Sequence, residues 1–351
     1  MRILLVVPSF KILGGVANHY MGLSPFWENE IIYSIYGKRR FLPAILCFIP
    51  DLITYIFKLM FCNIDVVVVN PSFRKYQLYR DGLYAFIAIL LGKQLVTFIH
   101  GWDDNVFSKI KKNPNWFNRI YGNSNFIYVL CSDFKKSLLE LNLKAPVVLT
   151  TTKVLDKLVA NFNIEQRDGK ISRLLFLARV EYSKGILITL DTFRLLRRKY
   201  PYLKLSVCGT GTALNEAMDY VKRYNIPNVT FHGNVMGECL IKQFEESDLY
   251  ILPTKHGEGM ATSVLEAMAF GLPVISRPVG GVKDFFINGD MGYLLESLEP
   301  VEYEKAIEKL ILDSDKVKMI EKINHEYAMK HFLASNVTRK FESDILKYCI
   351  K

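Results

Sequence analysis

Two glutamates stand eight residues apart in the run Pro253-Thr254-Lys255-His256-Gly257-Glu258-Gly259 and its continuation from Met260 to Glu266. The glycines around Glu258 predict a loop, and Glu266 falls in the first turns of a helix that Thr262 or Ser263 can cap. A carboxylate there accepts from two vicinal hydroxyls, as a ribose presents them. The loop amides at Gly259, Met260 and Ala261 suit sugar hydroxyls or an anion, and Glu258 would meet the sugar. Upstream, Arg179 and Lys184-Gly185 follow the apolar run Leu174 to Leu177. An arginine forks onto two phosphate oxygens while a lysine acts as a movable point charge, so the pair suits a diphosphate; alone it also reads as a solvated loop. Gly209 and Gly211 end the next apolar run and Gly233 the one after, as if a flat ligand lay near the backbone. Gly14-Gly15 follow the first run, where a glycine pair admits an anion to helix amides or makes a simple turn. His100 closes another run, with a satisfied strand-end histidine as its plain reading.

Several chemistries lose their support. No Gly-x-Gly-x-x-Gly and no P-loop Gly-Lys-Ser/Thr occurs, which removes the main signatures of a dinucleotide oxidoreductase or a P-loop nucleotidase. The histidines form no His-x-His or His-Glu-x-x-His pattern, and the six cysteines form no Cys-x-x-Cys pair, so no metal site or cofactor is expected. Asp313-Ser314-Asp315 resembles a metal-binding Asp-x-Asp but lies between helical segments, where it reads as a helix cap.

The elements that position these residues are short β-branched runs alternating with helical stretches: Ile3 to Val7, Asp65 to Val69, Leu95 to Ile99, Phe126 to Leu130, Leu174 to Leu177, Leu203 to Val207, Val229 to Phe231, Leu249 to Leu252 and Val274 to Ser276. Strands buried on both faces and separated by helices imply parallel sheets, hence an α/β class. The pattern restarts after the polar stretch Asn161 to Lys170. Two doubly wound domains are therefore expected, residues 1–160 and 171–334, with a last helix over about 335–351, capped by Ser335, returning to the first.

The chain has 351 residues, half of them hydrophobic, and a net charge of +10. Residues 1–150 hold 17 Lys/Arg against 9 Asp/Glu, and residues 151–351 hold 28 against 26. A basic first half points to an anionic partner. The basic residues form no helical arm or aromatic-interleaved strand, which disfavours nucleic acid and leaves an anionic membrane surface. Phe41 to Cys62 is the most apolar window, but Pro43, Pro50, Asp51 and Lys58 argue against spanning. It reads either as a loop plus a core helix from Asp51, or as an interfacial helix flanked by Lys38-Arg39-Arg40 and Arg74-Lys75. The amino-terminal apolar run is too short for a signal peptide, so a cytoplasmic protein on the inner face of a membrane is expected.

The chain resembles the retaining glycosyltransferases of family four, which have the GT-B fold and use nucleotide sugars. The resemblance rests on Gly14-Gly15, His100-Gly101, Arg179 with Lys184-Gly185, Gly209-x-Gly211, and the Glu258-x7-Glu266 block with its Glu-Ala-Met-Ala-x-Gly-x-Pro-Val-Ile continuation. It implies that Arg179 and Lys184 hold the donor diphosphate, Glu266 the ribose, and Glu258 with the amides of Gly259 to Ala261 the transferred sugar. Gly15 would touch phosphate and His100 would face the donor sugar near its reactive carbon. It also implies a nucleotide-sugar donor, UDP-sugar before GDP-mannose, and cations of the chain in place of a metal, while the basic first half and the apolar window point to a lipid-linked or growing glycan acceptor. Ala178 before the arginine, Met260 after Glu258-Gly259 and Thr150-Thr151-Thr152 depart from the family pattern. A nucleotide-sugar epimerase, a phosphorylase and a non-catalytic sugar-binding protein are the alternatives on the same frame.

Overall fold

The computed structural model describes residues 1–11, 14–37, 44–255 and 259–350. The chain divides into two compact units: Met1–Lys153 with Glu258–Met260 and Ala334–Lys351, and Val154–Gly257 with Ala261–Leu333.

The first unit is built on β1 (Arg2–Pro8), β2 (Glu30–Tyr36), β3 (Val66–Val69), β4 (Gln94–Ile99), β5 (Phe126–Val129) and β6 (Val147–Leu149), in the order β2-β1-β3-β4-β5-β6. All neighbouring pairs are parallel. All four valines of β3 are buried, as expected of a central strand with helices on both faces. One core layer takes in Tyr20, Phe98, Tyr128, Val337 and Phe341; the other takes in Tyr55, Leu59, Tyr84, Phe117 and Val129. The helix Ala334–Cys349 belongs to the first layer: the Tyr128 hydroxyl donates to Asp344 (2.6 Å), and Glu342 accepts from the amides of Glu28 and Asn29 (3.1 and 2.8 Å). That helix starts one residue ahead of Ser335, which therefore lies inside its first turn.

The second unit repeats the plan with β7 (Arg173–Leu177), β8 (Lys204–Cys208), β9 (Val229–Gly233), β10 (Leu249–Leu252), β11 (Val274–Ser276) and β12 (Gly292–Leu294), in the order β12-β11-β10-β7-β8-β9. Each pair is again parallel. In both sheets the connecting loops and helix N-termini therefore gather at the carboxyl edge of the strands.

The division falls at Lys153/Val154, ahead of the polar stretch 161–170 read as the linker. That stretch is tied into the second unit, because the Arg167 guanidinium donates to the carbonyls of Phe270 (3.1 Å), Phe244 (2.8 Å) and Ser247. Its polar composition serves carbonyls at helix ends. Asp313 caps the helix Ser314–His331, accepting from the Lys316 amide at 2.9 Å.

The apolar window forms one helix, α2 (Ala44–Phe61), which follows α1 (Gly15–Leu23) and runs straight through Pro50 instead of starting after it. Pro50 forfeits one intrahelical bond, and the Thr54 hydroxyl donates to its carbonyl (2.8 Å). Asp51 turns inward to accept from the Gly37 amide (3.0 Å), and Lys58 donates to the Tyr33 carbonyl (2.7 Å). The next helix, α3 (Lys75–Leu90), packs beside α2 through Tyr55, whose ring lies 4.9 Å from that of Tyr84. Among the described residues no helix is long and apolar enough to cross a membrane.

Candidate functional site

At the carboxyl edge of the first sheet a polar cluster joins four elements. Asn70, just past β3, donates through Nδ2 to the Val6 carbonyl of β1 (2.9 Å), which fixes its Oδ1 as an acceptor. That oxygen takes the Tyr20 hydroxyl of α1 (2.8 Å) and His100 Nε2 at the end of β4 (2.9 Å). The proton of His100 is thereby assigned to Nε2, leaving Nδ1 as an acceptor. Burial lowers the His100 pKa to about 3, and its ring stacks on Phe98 at 3.7 Å, so the imidazole is neutral near pH 7. His19 stands 5.5 Å away, ring to ring. Burial, then His100, then Lys153 push its pKa well down, and its Nε2 has no hydrogen-bond partner among the described residues. Gly14 and Gly15 form the N-terminus of α1 with ordinary backbone angles, and a Cβ added at either would meet nothing within 4 Å. Their smallness leaves open space in front of the helix amides, which suits an approaching anion.

The second unit carries its own cluster. Lys184 ends a short 3-10 turn (Tyr182–Lys184) after β7 and is only 5% exposed. Burial first, then Arg179, lower its pKa to about 8, with Glu181 opposing. Gly185 follows in the left-handed region (φ 79°) and opens the helix Ile186–Lys199; a Cβ there would collide with the Pro253 carbonyl oxygen. The Pro253–Lys255 loop is stitched to the same turn, since the Lys255 amide (2.7 Å) and the Thr254 hydroxyl (3.2 Å) donate to the Ser183 carbonyl. Arg179 is mostly exposed and pairs with Glu181 at 2.9 Å.

Gly209 and Gly211 are explained by the backbone itself. Gly209 has φ 130°, and side chains at the two positions would run into the carbonyls of Ala178 and Val180. Those loops are hydrogen-bonded to each other, Ala178 N to Cys208 O (3.1 Å) and Val180 N to Thr210 O (3.0 Å). Gly233 is also left-handed (φ 65°) but has open space around it.

Glu266 lies in the helix Thr262–Ala269, whose N-cap residue is Ala261; Thr262 and Ser263 sit inside the first turn and do not cap it. Ser263 instead meets the Tyr250 hydroxyl (2.7 Å), which also donates to the Leu177 carbonyl (3.0 Å). Tyr250 thus ties the end of β7 to the start of that helix, close enough to Glu266 for its charge to help raise the tyrosine's pKa, after burial. Glu258 lies outside the described residues. Gly259 and Met260 group with the first unit, where a Cβ at Gly259 would press on Leu130 Cδ1 at 2.8 Å. Asn70, Tyr20 and Tyr250 carry no motif: Asn70 directly follows β3, Tyr20 lies within α1 and Tyr250 near the start of β10, and no local pattern points to them. Among the described residues no three His, Cys, Asp or Glu side chains gather to hold a metal ion.

Residues 159–326, most of the second unit, match the model of the glycosyl transferases group 1. The chain is 30% identical over 122 residues to a glycogen synthase of Mycobacterium tuberculosis, a match covering 34% of this chain and 29% of that protein. It thus spans less than a third of that first relative. It is 24% identical over 311 residues to an uncharacterized glycosyltransferase of Methanocaldococcus jannaschii, covering 83% of this chain and 77% of the relative. The fold is that of Anabaena HepE, solved in complex with UDP: TM-score 0.77 at 14% identity, over 99% of this chain and all of that one. The architecture is GT-B.

Proposed function

We propose that this chain is a retaining glycosyltransferase that moves a sugar from a nucleotide diphosphate donor to a lipid-linked or growing polysaccharide acceptor, on the inner, anionic face of a membrane. UDP-sugar is the first choice of donor and GDP-mannose the second. The observation that carries the reading is Lys184: a buried lysine at the carboxyl edge of β7, beside Arg179 and a left-handed glycine opening a helix, inside the segment that matches group 1. A diphosphate placed there meets two cations and helix amides, which offset the charge that grows on the leaving group without a metal. Glu266 accepts the ribose hydroxyls. His100, neutral and with Nδ1 an acceptor, is built to accept a hydrogen bond from a sugar hydroxyl and not to act as an acid. The acceptor proton leaves on a phosphate oxygen, on the face from which the diphosphate departs, so the anomeric configuration is kept. HepE was solved with UDP, which supports the donor class. No specific observation favours an epimerase, a phosphorylase or a non-catalytic sugar-binding protein.

Thermal unfolding with free UDP, GDP and ADP tests the donor. A ligand at a hundred times its Kd adds about 2.7 kcal/mol of stability. The largest shift is expected with UDP; a shift with GDP alone moves the donor to GDP-mannose, and no shift with any of the three overturns the assignment.

A further inference from the structure

The first unit exposes an apolar face that neither the candidate site nor the core accounts for. On α2, Leu46, Ile49, Ile53, Phe57, Met60 and Phe61 recur at helical spacing on one side. On α3, Tyr76, Tyr79, Phe86 and Leu90 do the same. All ten side chains are between 45% and 86% exposed. Because β2, β3 and β4 are parallel, both helices return from the carboxyl to the amino edge of the sheet, so their stripes run side by side in one direction. Ten such side chains present on the order of 1,000 Å², well beyond the few hundred Å² that a soluble monomer leaves bare.

The charges are arranged to match. The lone acid of each helix is buried: Asp51 is held by the Gly37 amide, and Asp81 is paired with Arg80 at 2.7 Å. Neither helix therefore offers a negative group to the outside. Arg74 stands exposed just before α3, and in the sequence Lys38-Arg39-Arg40 shortly precede α2. At the end of the α3 stripe the ring of Tyr79 lies 4.6 Å from that of Trp116, beside a recess that Lys109 helps to line. Amphipathic aromatic rings with a lysine beside them are what a headgroup region accommodates.

We infer that α2 and α3 together form a lipid-docking face that lies in the plane of an anionic bilayer, with both stripes immersed and Arg74 at the start of α3 against the headgroups. The inference rests on the membrane part of the reading above and uses none of its chemistry. A second copy of the chain is the competing occupant, and the two differ in what they require of lipid charge.

The test is co-sedimentation of the full chain with phosphatidylcholine vesicles that contain or lack phosphatidylglycerol, without donor or acceptor. Binding is expected only with phosphatidylglycerol and is weakened by salt. Phe57→Glu and Phe86→Glu, each singly, lower the bound fraction about tenfold, since each removes one large buried apolar group. Both substitutions are at exposed positions, so the unfolding midpoint and any UDP-induced shift stay as in the parent chain. That control separates loss of docking from loss of the fold or of the donor site. Binding that ignores phosphatidylglycerol, binding retained in both variants, or a dimer in light scattering that both variants dissolve would overturn the inference.

Discussion

At Lys184 burial and a neighbouring guanidinium pull in the same direction, both favouring the neutral amine, and the negative charge of a bound diphosphate opposes both. Two effects of opposite sign follow. The folded-state pKa, about 8, lies below the ordinary lysine value of 10.5, so the unfolded chain holds the extra proton between them and stability contributed here grows as pH rises through that window. Nucleotide diphosphate affinity runs the other way: from pH 7 to 9 it should fall by about tenfold as the amine loses its charge. Near pH 8 binding should take up a proton, seen in calorimetry as an enthalpy that changes with the buffer. Lys184→Ala should abolish that uptake and flatten the pH dependence of stability, and it and Arg179→Ala should each slow turnover about a hundredfold, or roughly 3 kcal/mol. Lys184 and Arg179 stand out in the sequence because residue type and place after an apolar run coincide, and Glu266 because it stands eight residues after Glu258. Asn70, Tyr20 and Tyr250 are not. Asn70 matters because β1 lies beside β3 and offers it the Val6 carbonyl, which no local spacing reveals.

Glycines that look alike in sequence do different work once the elements are in place. Gly209 is held at φ 130° against the Ala178 carbonyl, whereas Gly14 has ordinary angles and empty space. Gly209→Ala should therefore cost about 1–3 kcal/mol in denaturant unfolding, and Gly14→Ala should leave stability alone while weakening nucleotide diphosphate binding. The strands divide in a similar way. Nine apolar runs mark nine of the twelve strands among the described residues. The other three, β2, β6 and β12, are all sheet edges, where one neighbour is missing. β2 has only two buried residues and β6 and β12 are three residues each, so the signature of burial on two faces is absent from them. Pro50 misled in the opposite sense: it suggests a break, yet it costs α2 a single bond near its start and the helix continues.

On the scale of the whole molecule, the repeated βαβ rhythm makes two units legible, while their boundary depends on Arg167, whose three backbone partners lie some 80 to 100 residues downstream. Apart from the brief excursion at Glu258–Met260, the chain passes from one unit to the other at Lys153/Val154 and returns at Leu333/Ala334. The two crossings are adjacent, since the Val154 amide donates to the Phe332 carbonyl at 2.7 Å. Removing residues 334–351 strips Val337, Phe341 and Ile345 from the first core and leaves Tyr128 without Asp344. Hydrogen exchange should then show protection lost across β1, β3, β4 and β5 and kept in β7, β8 and β10. A chain emerging from the ribosome meets the same dependence in time. Its first sheet stays unfinished until Ala334–Cys349 is synthesised, so the second unit can close first and a stop ahead of that helix spoils the unit made before it.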